Sequence, residues 1–113
     1  MLGNMSISFA DFSKLQIKVG KIIEVDDIPQ ARNSMYRLKI DFGKAGIKQC
    51  VGGIKPYYTK TQLLGRQVVA VVNLQPKSIA GVTSECMMLA AFDDQDVSLL
   101  KPDKEMPLGM KVA

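Results

Sequence analysis

The sequence contains no histidine and no tryptophan, and only two of its 113 residues are cysteine. Histidine is the commonest general base and a leading metal ligand. Its absence excludes Ser-His-Asp and Cys-His nucleophile systems and any zinc site built from cysteine and histidine. We therefore expect no catalytic residue, no metal site and no cofactor, and we interpret the chain as a protein that is not an enzyme.

Long apolar segments are also absent. No apolar run approaches the ~20 residues that cross a bilayer, and residues 1–8 lack the basic and apolar regions of a signal peptide. Cys50 and Cys86 are too few for a disulfide framework and lie in strand-like runs, so we expect reduced, half-buried thiols. These features favour a cytoplasmic protein with no membrane partner. Met5 is a candidate native start, and we expect part of residues 1–8 to be disordered or foreign to the native chain.

The charge is modest in total, at +4, but it is unevenly distributed. Between Ile28 and Ser84 there are nine basic residues and a single acidic one, Asp41, which leaves that stretch at +8. The rest of the chain carries a net charge of −4. A basic middle between acidic ends indicates a surface for a polyanion, although the solvated surface of an ordinary basic protein would have the same composition.

Alternation of apolar and polar residues predicts a chain of short strands. Gly20 and Lys21 interrupt the first strand, which predicts a bulge or a sharp coil there. Ser8 with Asp11, and Thr59 with Gln62, have the spacing of helix-capping pairs. Residues 76–83 are predicted as loop, 93–96 as an acidic turn and 97–112 as an extended tail that packs on some other surface, which the sequence does not identify. The predicted strands are 15–25, 36–42, 47–51, 68–74 and 86–92, and the predicted short helices are 9–14 and about 59–64.

Five short strands with a helix between the third and the fourth are the element order of an OB-fold. The length of 113 residues suits one domain. We therefore predict an all-β protein, a five-stranded OB-fold barrel with short helices, in a single domain spanning residues 1–113.

The OB-fold binds oligonucleotides on one sheet face framed by loops. Basic side chains at that face are expected to contact phosphates. Tyr36 is expected to pack in the core, whereas Tyr57 and Tyr58 suit either base stacking or packing. The candidate phosphate-binding residues are Arg37, Lys39 and Lys48 on the first hairpin and Lys55, Lys60 and Lys77 in loops, with Arg66 in a short connection.

The segment Gly81-Val82-Thr83-Ser84-Glu85-Cys86-Met87-Met88-Leu89 resembles the Gly-x-x-Ser-x-x-Met-x-Leu signature of the tRNA-binding domain family. That family includes stand-alone bacterial tRNA-binding proteins, CsaA-type proteins, the C-terminal extension of methionyl-tRNA synthetase and EMAP II-like domains. The segments Leu15-x-Ile17-x-Val19-Gly20-Lys21, Asn73-Leu74-x-Pro76-Lys77 and Lys101-Pro102-Asp103 are similar to family motifs as well. Two departures stand out: Ile28-Pro29-Gln30-Ala31-Arg32 is closer to the CsaA type, and Cys86 stands where many members have glycine.

The resemblance implies an OB-fold core with N- and C-terminal additions through which two copies dimerise. It also implies recognition of tRNA shape without catalysis. By motif match, Ser84 and Met87 would lie in the tRNA-binding groove, with Asn73 and Lys77 near its edge. Two structural alternatives stay open: Met87 would pack in the core, and Ser84 would only shape the turn before its strand.

These observations predict a non-catalytic tRNA-binding homodimer. A CsaA-like chaperone or protein-export role, with unfolded polypeptide as partner, is one alternative. An accessory β subunit of methionyl-tRNA synthetase is another. Dimerisation is expected because the barrel would not absorb every apolar residue outside it, and the exposed remainder would form an interface. Those residues are Phe9, Phe12 and Leu15 in the N-terminal segment and Leu99, Leu100, Met106, Leu108, Met110 and Val112 in the tail.

Overall fold

A computed structural model describes residues 5–30 and 34–113. Residues 1–4 of the N-terminal segment and the basic residue Arg32 lie outside these ranges. No helix within them is long and apolar enough to cross a membrane. The elements are α1 (Phe9–Ser13), β1 (Ile17–Asp27), β2 (Tyr36–Asp41), a 3-10 helix (Gly43–Ala45), β3 (Ile47–Gly52), α2 (Lys60–Leu63), β4 (Gln67–Val71), β5 (Lys77–Ile79), β6 (Val82–Ser84), β7 (Met87–Met88), β8 (Ala90–Phe92), β9 (Val97–Leu99) and β10 (Lys111–Val112).

The main sheet has the strand order β3-β2-β1-β4-β7, with β10 paired to β1. The first part of β1 pairs with β4 and the second part with β2, and Lys21 pairs with both neighbours. The free edge of β3 is bridged to the segment before β7: the Glu85 amide donates to the Gln49 carbonyl at 2.7 Å, and the Val51 amide donates to Ser84 Oγ at 3.1 Å. The result is a nearly closed five-stranded barrel, which confirms the predicted fold class.

The barrel core is built from strand residues whose side chains point inward, which alternate along β2 with residues that point outward. Tyr36, Leu38 and Ile40 of β2 are buried, while the residues between them are half-buried. On β4, burial continues on both faces, as the uninterrupted apolar run predicts. Val68 and Ala70 point into the main core. The alternate residues Val69 and Val71 form a second apolar cluster with Ile17, against which Phe12, Leu89 and Val112 pack.

Gly20 is required by a close approach between strands. A Cβ atom at this position would lie 2.6 Å from side-chain atoms of both Ile40 and Phe42, so any larger residue would displace the core. The register shift in β1 lies between Ile22 and Glu24, two residues beyond the predicted break. The glycine thus permits tight packing, and the bulge that redirects the strand is separate.

Both predicted helix caps are confirmed. Ser8 Oγ accepts a hydrogen bond from the Asp11 amide at 3.0 Å. Thr59 and Gln62 form a reciprocal capping box: the Gln62 amide donates to Thr59 Oγ1 at 3.2 Å and the Thr59 amide donates to Gln62 Oε1 at 2.8 Å. The polar side chains therefore satisfy amide groups that each short helix leaves unpaired.

Two predicted elements are wrong in detail. Residues 76–83 are not a loop, because β5 and β6 pair as an antiparallel hairpin. Its two turn residues, Ala80 and Gly81, have φ of 52° and 80°, and alanine in this conformation is a weak sequence signal for a hairpin turn. The predicted fifth strand is divided at Leu89, because β7 pairs with β4 whereas β8 pairs with β9.

The tail packs on its own barrel, in agreement with its predicted contact role. Gln67 holds it from β4: Gln67 Nε2 donates to the Met106 carbonyl at 2.7 Å, and the Met106 amide donates to Gln67 Oε1 at 3.0 Å. The Gly109 amide donates to the Val19 carbonyl at 2.8 Å. The end of the chain, β10, then pairs with β1.

This packing agrees with the expectation that the barrel would not absorb every apolar residue outside it, although it covers most of those in the tail. Leu99 is buried in the main core, and Val112 packs against the second apolar cluster. Met106 and Leu108 are half-buried, so only Leu100 and Met110 remain exposed in the tail. Phe9 and Leu15 of the N-terminal segment are exposed as well, so an apolar remainder stays outside the barrel. The covered tail residues reach the barrel through main-chain hydrogen bonds, which apolar spacing does not reveal.

Candidate nucleic-acid interface

The outward face of β2 and β3 forms one side of the candidate interface. Leu38 and Ile40 point into the core, so Arg37 and Lys39 point outward, where they lie opposite Val51 and Gln49 of β3. Gln49 joins this face to the β5–β6 hairpin, because its Nε2 donates to the Thr83 carbonyl at 2.9 Å. The sheet face and the hairpin therefore border a common groove.

A pocket of about 300 Å³ lies in this groove; we refer to it as the hairpin pocket. It brings three of the predicted site residues, Lys77, Ser84 and Met87, beside Val51 of β3. Its wall is lined by Val51, Leu74, Gln75, Lys77, Ile79, Ser84, Glu85, Cys86 and Met87.

Ser84 is half-buried and its hydroxyl is engaged within the protein. Its Oγ accepts from the Val51 amide at 3.1 Å and donates to the Cys86 carbonyl at 3.2 Å. It therefore anchors the segment before β7 to the edge of β3. This placement agrees with the structural alternative for Ser84, and its contact with tRNA stays a prediction.

Met87 is 49% exposed, so the alternative that it packs in the core is wrong. The neighbouring Met88 packs against the core instead. Met87 lines the hairpin pocket and also a second, smaller pocket beside β3 that includes Gly52 and Gly53. A flexible thioether between two pockets is an adaptable contact surface.

Lys39, Lys48 and Lys77 form no ion pair with any residue in the described part of the chain. Lys39 and Lys48 are on adjacent strands of the first hairpin, and Lys77 lines the hairpin pocket. Cations without acidic partners can contact phosphates without first breaking an ion pair. The charges of these three members of the predicted set are therefore not balanced by an ion pair among the described residues.

Arg37 differs from these lysines because its charge is balanced. Its Nη2 is ion-paired with Asp26 and lies 3.5 Å from Glu24 Oε1, and its Nη1 donates to Gln49 Oε1 at 3.3 Å. The register of β1 and β2 places Asp26 opposite Arg37. Both acids precede the basic stretch in sequence, so its net charge did not include them.

Lys55 and Lys60 converge on Asp27, at 2.9 Å and 3.0 Å from its two carboxylate oxygens. These hydrogen bonds hold the pKa of Asp27 below its usual value. The same contact raises the pKa of Lys60. Neither lysine lines the hairpin pocket, so the structure separates this pair from the groove residues.

Asn73 uses both groups of its side-chain amide within the chain. Its Oδ1 accepts from the Gln16 amide at 2.8 Å, and its Nδ2 donates to the Lys14 carbonyl at 2.7 Å. It therefore ties the segment after α1 to the end of β4. Its predicted tRNA contact stays a prediction, since the side chain is exposed but already satisfied.

The tyrosines divide into packing and exposed positions. Tyr36 is buried, as predicted, and its hydroxyl donates to the Tyr58 carbonyl at 2.9 Å. The Tyr58 hydroxyl accepts from the Leu99 amide at 2.9 Å, and the Arg66 guanidinium lies 5.4 Å from its ring centre. Tyr58 is thus a packing residue, and the more exposed Tyr57 is available for stacking.

Cys50 and Cys86 are free, and both are buried rather than half-buried. Their side chains are in contact. The hydrogen bond with Cys50, together with burial, raises the pKa of Cys86 well above its ordinary value, although the nearby Lys48 charge opposes that rise. Cys86 is therefore a neutral thiol in the pocket wall.

Sequence reasoning missed most of the apolar wall of the hairpin pocket. The outward position of Val51 could have been predicted, because the alternation along β3 places its side chain on the same face as Arg37. Leu74 was assigned to the buried strand, yet it is 41% exposed and follows the end of β4. Ile79 belongs to the hairpin that was predicted as loop, so no sequence signal placed it there.

Comparison with known proteins gives a consistent result. The family model described as "Putative tRNA binding domain" matches residues 17–111. The methionine–tRNA ligase of Pyrococcus horikoshii is 49% identical over 106 residues, which is 94% of this chain and 14% of the ligase.

Two solved structures cover almost the whole chain. The CsaA chaperone protein of Picrophilus torridus is 42% identical, with a TM-score of 0.88, and the match covers 96% of this chain and 100% of that one. The chaperone CsaA of Bacillus anthracis is 38% identical, with a TM-score of 0.86 and coverage of 96% and 99%. By contrast, the chain spans only about one seventh of the curated ligases that it matches, 14% in the case above.

Proposed function

The chain belongs to the tRNA-binding domain family, and from this we propose that it binds tRNA as a homodimer and catalyses no reaction. The observation that carries the proposal is the set of three lysines, Lys39, Lys48 and Lys77, without acidic partners among the described residues. Lys39 and Lys48 lie on the β2–β3 hairpin and Lys77 lines the hairpin pocket, and OB-folds bind oligonucleotides on a sheet face framed by loops. A cytoplasmic location is part of the same proposal.

Phosphate contacts by these lysines would supply most of the affinity. Each contact releases counterions from the nucleic acid, so binding weakens as salt concentration rises. Contacts of this kind read the spacing of phosphates rather than base identity. Recognition would therefore follow the folded shape of tRNA more than its sequence.

The test is the salt dependence of binding to total tRNA, with single-stranded DNA as the control ligand. Three phosphate contacts predict a slope of roughly −2 to −3 in a plot of log K against log salt for each binding groove. Weaker binding of single-stranded DNA would show that folded RNA is preferred. A slope near zero, or no detectable tRNA binding, would contradict the proposal.

The second apolar cluster supports the homodimer. It covers the outer face of the sheet at β1 and β4. The ring centres of Phe9 and Phe12 are 6.4 Å apart, and Phe9 is 82% exposed. Leu15 and Leu100 are exposed as well. Apolar groups left in water beside a buried cluster favour association with a second copy.

Light scattering would test the assembly. Phe9→Asp places a charge at the proposed interface and should convert a dimer to a monomer at micromolar concentration. tRNA affinity should fall with it, because two grooves on one particle bind a large ligand more tightly than one. Phe92→Asp is the matched control, since Phe92 is 80% exposed on the β8–β9 hairpin. A wild-type monomer that binds tRNA fully would refute the homodimer.

A CsaA-like chaperone or protein-export role is the second candidate. It is favoured by the likeness to two CsaA chaperone structures over 96% of the chain. In this case the groove would take unfolded polypeptide, and tRNA and unfolded polypeptide would compete. An accessory role beside methionyl-tRNA synthetase is suggested by the ligase match. A pull-down with that synthetase would detect it.

A further inference from the structure

The hairpin pocket is more apolar than phosphate contacts require. Val51, Leu74, Ile79 and Met87 contribute its walls. Leu74 and Met87 keep 41% and 49% of their surface exposed to solvent. Exposed apolar walls in a groove typically mark a surface that becomes covered on binding.

We propose that the hairpin pocket holds one unpaired nucleobase of a bound RNA, with Leu74 and Met87 against the base and Lys77 at its phosphate. The inference deepens the proposed tRNA binding and depends on it. The volume of about 300 Å³ is at the lower end for ligand pockets. It therefore suits a single flat group rather than a longer stretch of polymer.

The charges beside the pocket favour a nucleotide over an apolar peptide side chain. Lys77 lines the pocket, and Lys48 directly precedes Gln49, whose amide donates to Glu85 of the wall. Glu85 also lines the pocket, but its Oε1 already accepts the Gln49 amide at 2.8 Å. A base within an RNA strand is flanked by phosphates, so its insertion brings anions to both lysines. An apolar side chain has no charge with which the lysines could interact.

Of the polar groups in the wall, Ser84 and Cys86 leave little capacity to distinguish one base from another, so the exposed side-chain amide of Gln75 is the group that would do so. Both hydrogen bonds of the Ser84 hydroxyl are made within the chain, and the Cys86 thiol is a weak donor. Apolar contact of Leu74 and Met87 with the flat face of a base does not depend on base identity, because every base has such a face. The pocket should therefore accept unpaired bases, with any preference among them set by Gln75, and reject bases held in a duplex.

Binding by three single variants gives the first test. Leu74→Ala and Met87→Ala should each weaken binding to tRNA and to a short single-stranded oligouridine by about 5- to 10-fold, because each removes apolar surface that the base would cover. Leu64→Ala is the matched control, because Leu64 is 59% exposed but lies at the end of α2, outside the pocket. Binding of the same variants to a blunt RNA duplex should equal that of the wild type. Circular dichroism would verify that all three variants are folded.

A fluorescent adenine analogue within the oligouridine gives the second test. Its emission should change when the wild-type chain binds, and the change should be lost with Met87→Ala but kept with Leu64→Ala. No change in emission, with tight binding of the strand, would overturn the inference.

The outcomes separate this inference from the proposed function. Wild-type tRNA affinity in Leu74→Ala and Met87→Ala would overturn the base pocket and leave tRNA binding intact. Failure of the wild-type chain to bind tRNA would overturn both. If the two variants no longer bind unfolded polypeptide but still bind RNA as the wild type does, the pocket holds a peptide side chain and the inference is wrong.

Discussion

The comparison of Lys77→Gln with Lys60→Gln tests the electrostatic account directly. Both changes remove one positive charge and keep a polar side chain of similar length. Lys77 lines the hairpin pocket and has no ion-pair partner among the described residues. Lys60 lies 3.0 Å from a carboxylate oxygen of Asp27, which Lys55 also contacts at 2.9 Å. The net charge of the two variants is equal, so any difference between them is local.

The expected difference follows from counterion release. One phosphate contact contributes about 0.7 to 0.9 to the slope of log K against log salt. Loss of the Lys77 contact should reduce the slope by that amount and weaken tRNA binding ~5- to 8-fold near 0.1 M salt. Lys60→Gln should leave the slope unchanged, because its ammonium group would have to leave Asp27 to reach a phosphate.

The assay is equilibrium binding of labelled tRNA by fluorescence anisotropy at four or more salt concentrations. Thermal unfolding of each variant serves as the folding control. Equal losses of affinity in the two variants would mean that only the overall charge matters, which would refute the assignment of the groove. A larger loss with Lys60→Gln would place the binding surface on the side of Asp27.

Three further results are expected. Arg37→Gln should lower the free energy of unfolding by about 1 kcal/mol, or Tm by a few degrees, because it breaks the ion pairs with Glu24 and Asp26 of β1. Lys39→Gln is the control and should leave Tm unchanged in the same thermal scan. Asp27 has a pKa below its usual 3.8 in the folded chain, so its contribution to stability is present above that value and disappears as the pH falls through the lowered pKa; urea unfolding at acid pH should show a smaller pH dependence for Asp27→Asn. Gly109→Ala should destabilise the protein more than Gly65→Ala in denaturant unfolding, because both glycines have positive φ, of 85° and 84°, but of the two only Gly109 would place a Cβ against a backbone carbonyl. Equal losses of stability would refute this steric argument.

Much of the fold was predictable from local patterns. The alternation in β2 and the unbroken apolar run in β4 act over a few residues, and the structure confirms both. The cap at Ser8 and the capping box at Thr59 also depend on short-range spacing. The β5–β6 hairpin was missed because Ala80 is an unusual residue for a position with positive φ. The division of the fifth strand was missed because it depends on which partner strand each half meets.

The candidate site was only partly predictable. Composition indicated a basic surface, and the motif around Ser84 and Met87 placed two residues at the groove. The charge pattern along the sequence could not predict which basic side chains form ion pairs with acidic residues and which do not. Arg37 meets acids of β1 across the sheet, and Lys60 meets Asp27, which lies 33 positions earlier in the chain. Such pairs form only when strand register brings distant residues together.

The sequence by itself determined the absence of histidine chemistry, the family signature and the alternation that produces a small barrel. These properties depend on residue type and on neighbours within one strand or helix turn. Only the tertiary structure decided that the tail returns to the barrel, that Asn73 holds the N-terminal segment, and that Leu74 and Met87 share a pocket with Lys77. The physical reason is the same in each case: these contacts join residues far apart in the chain, and their partners are selected by register and packing of the complete barrel.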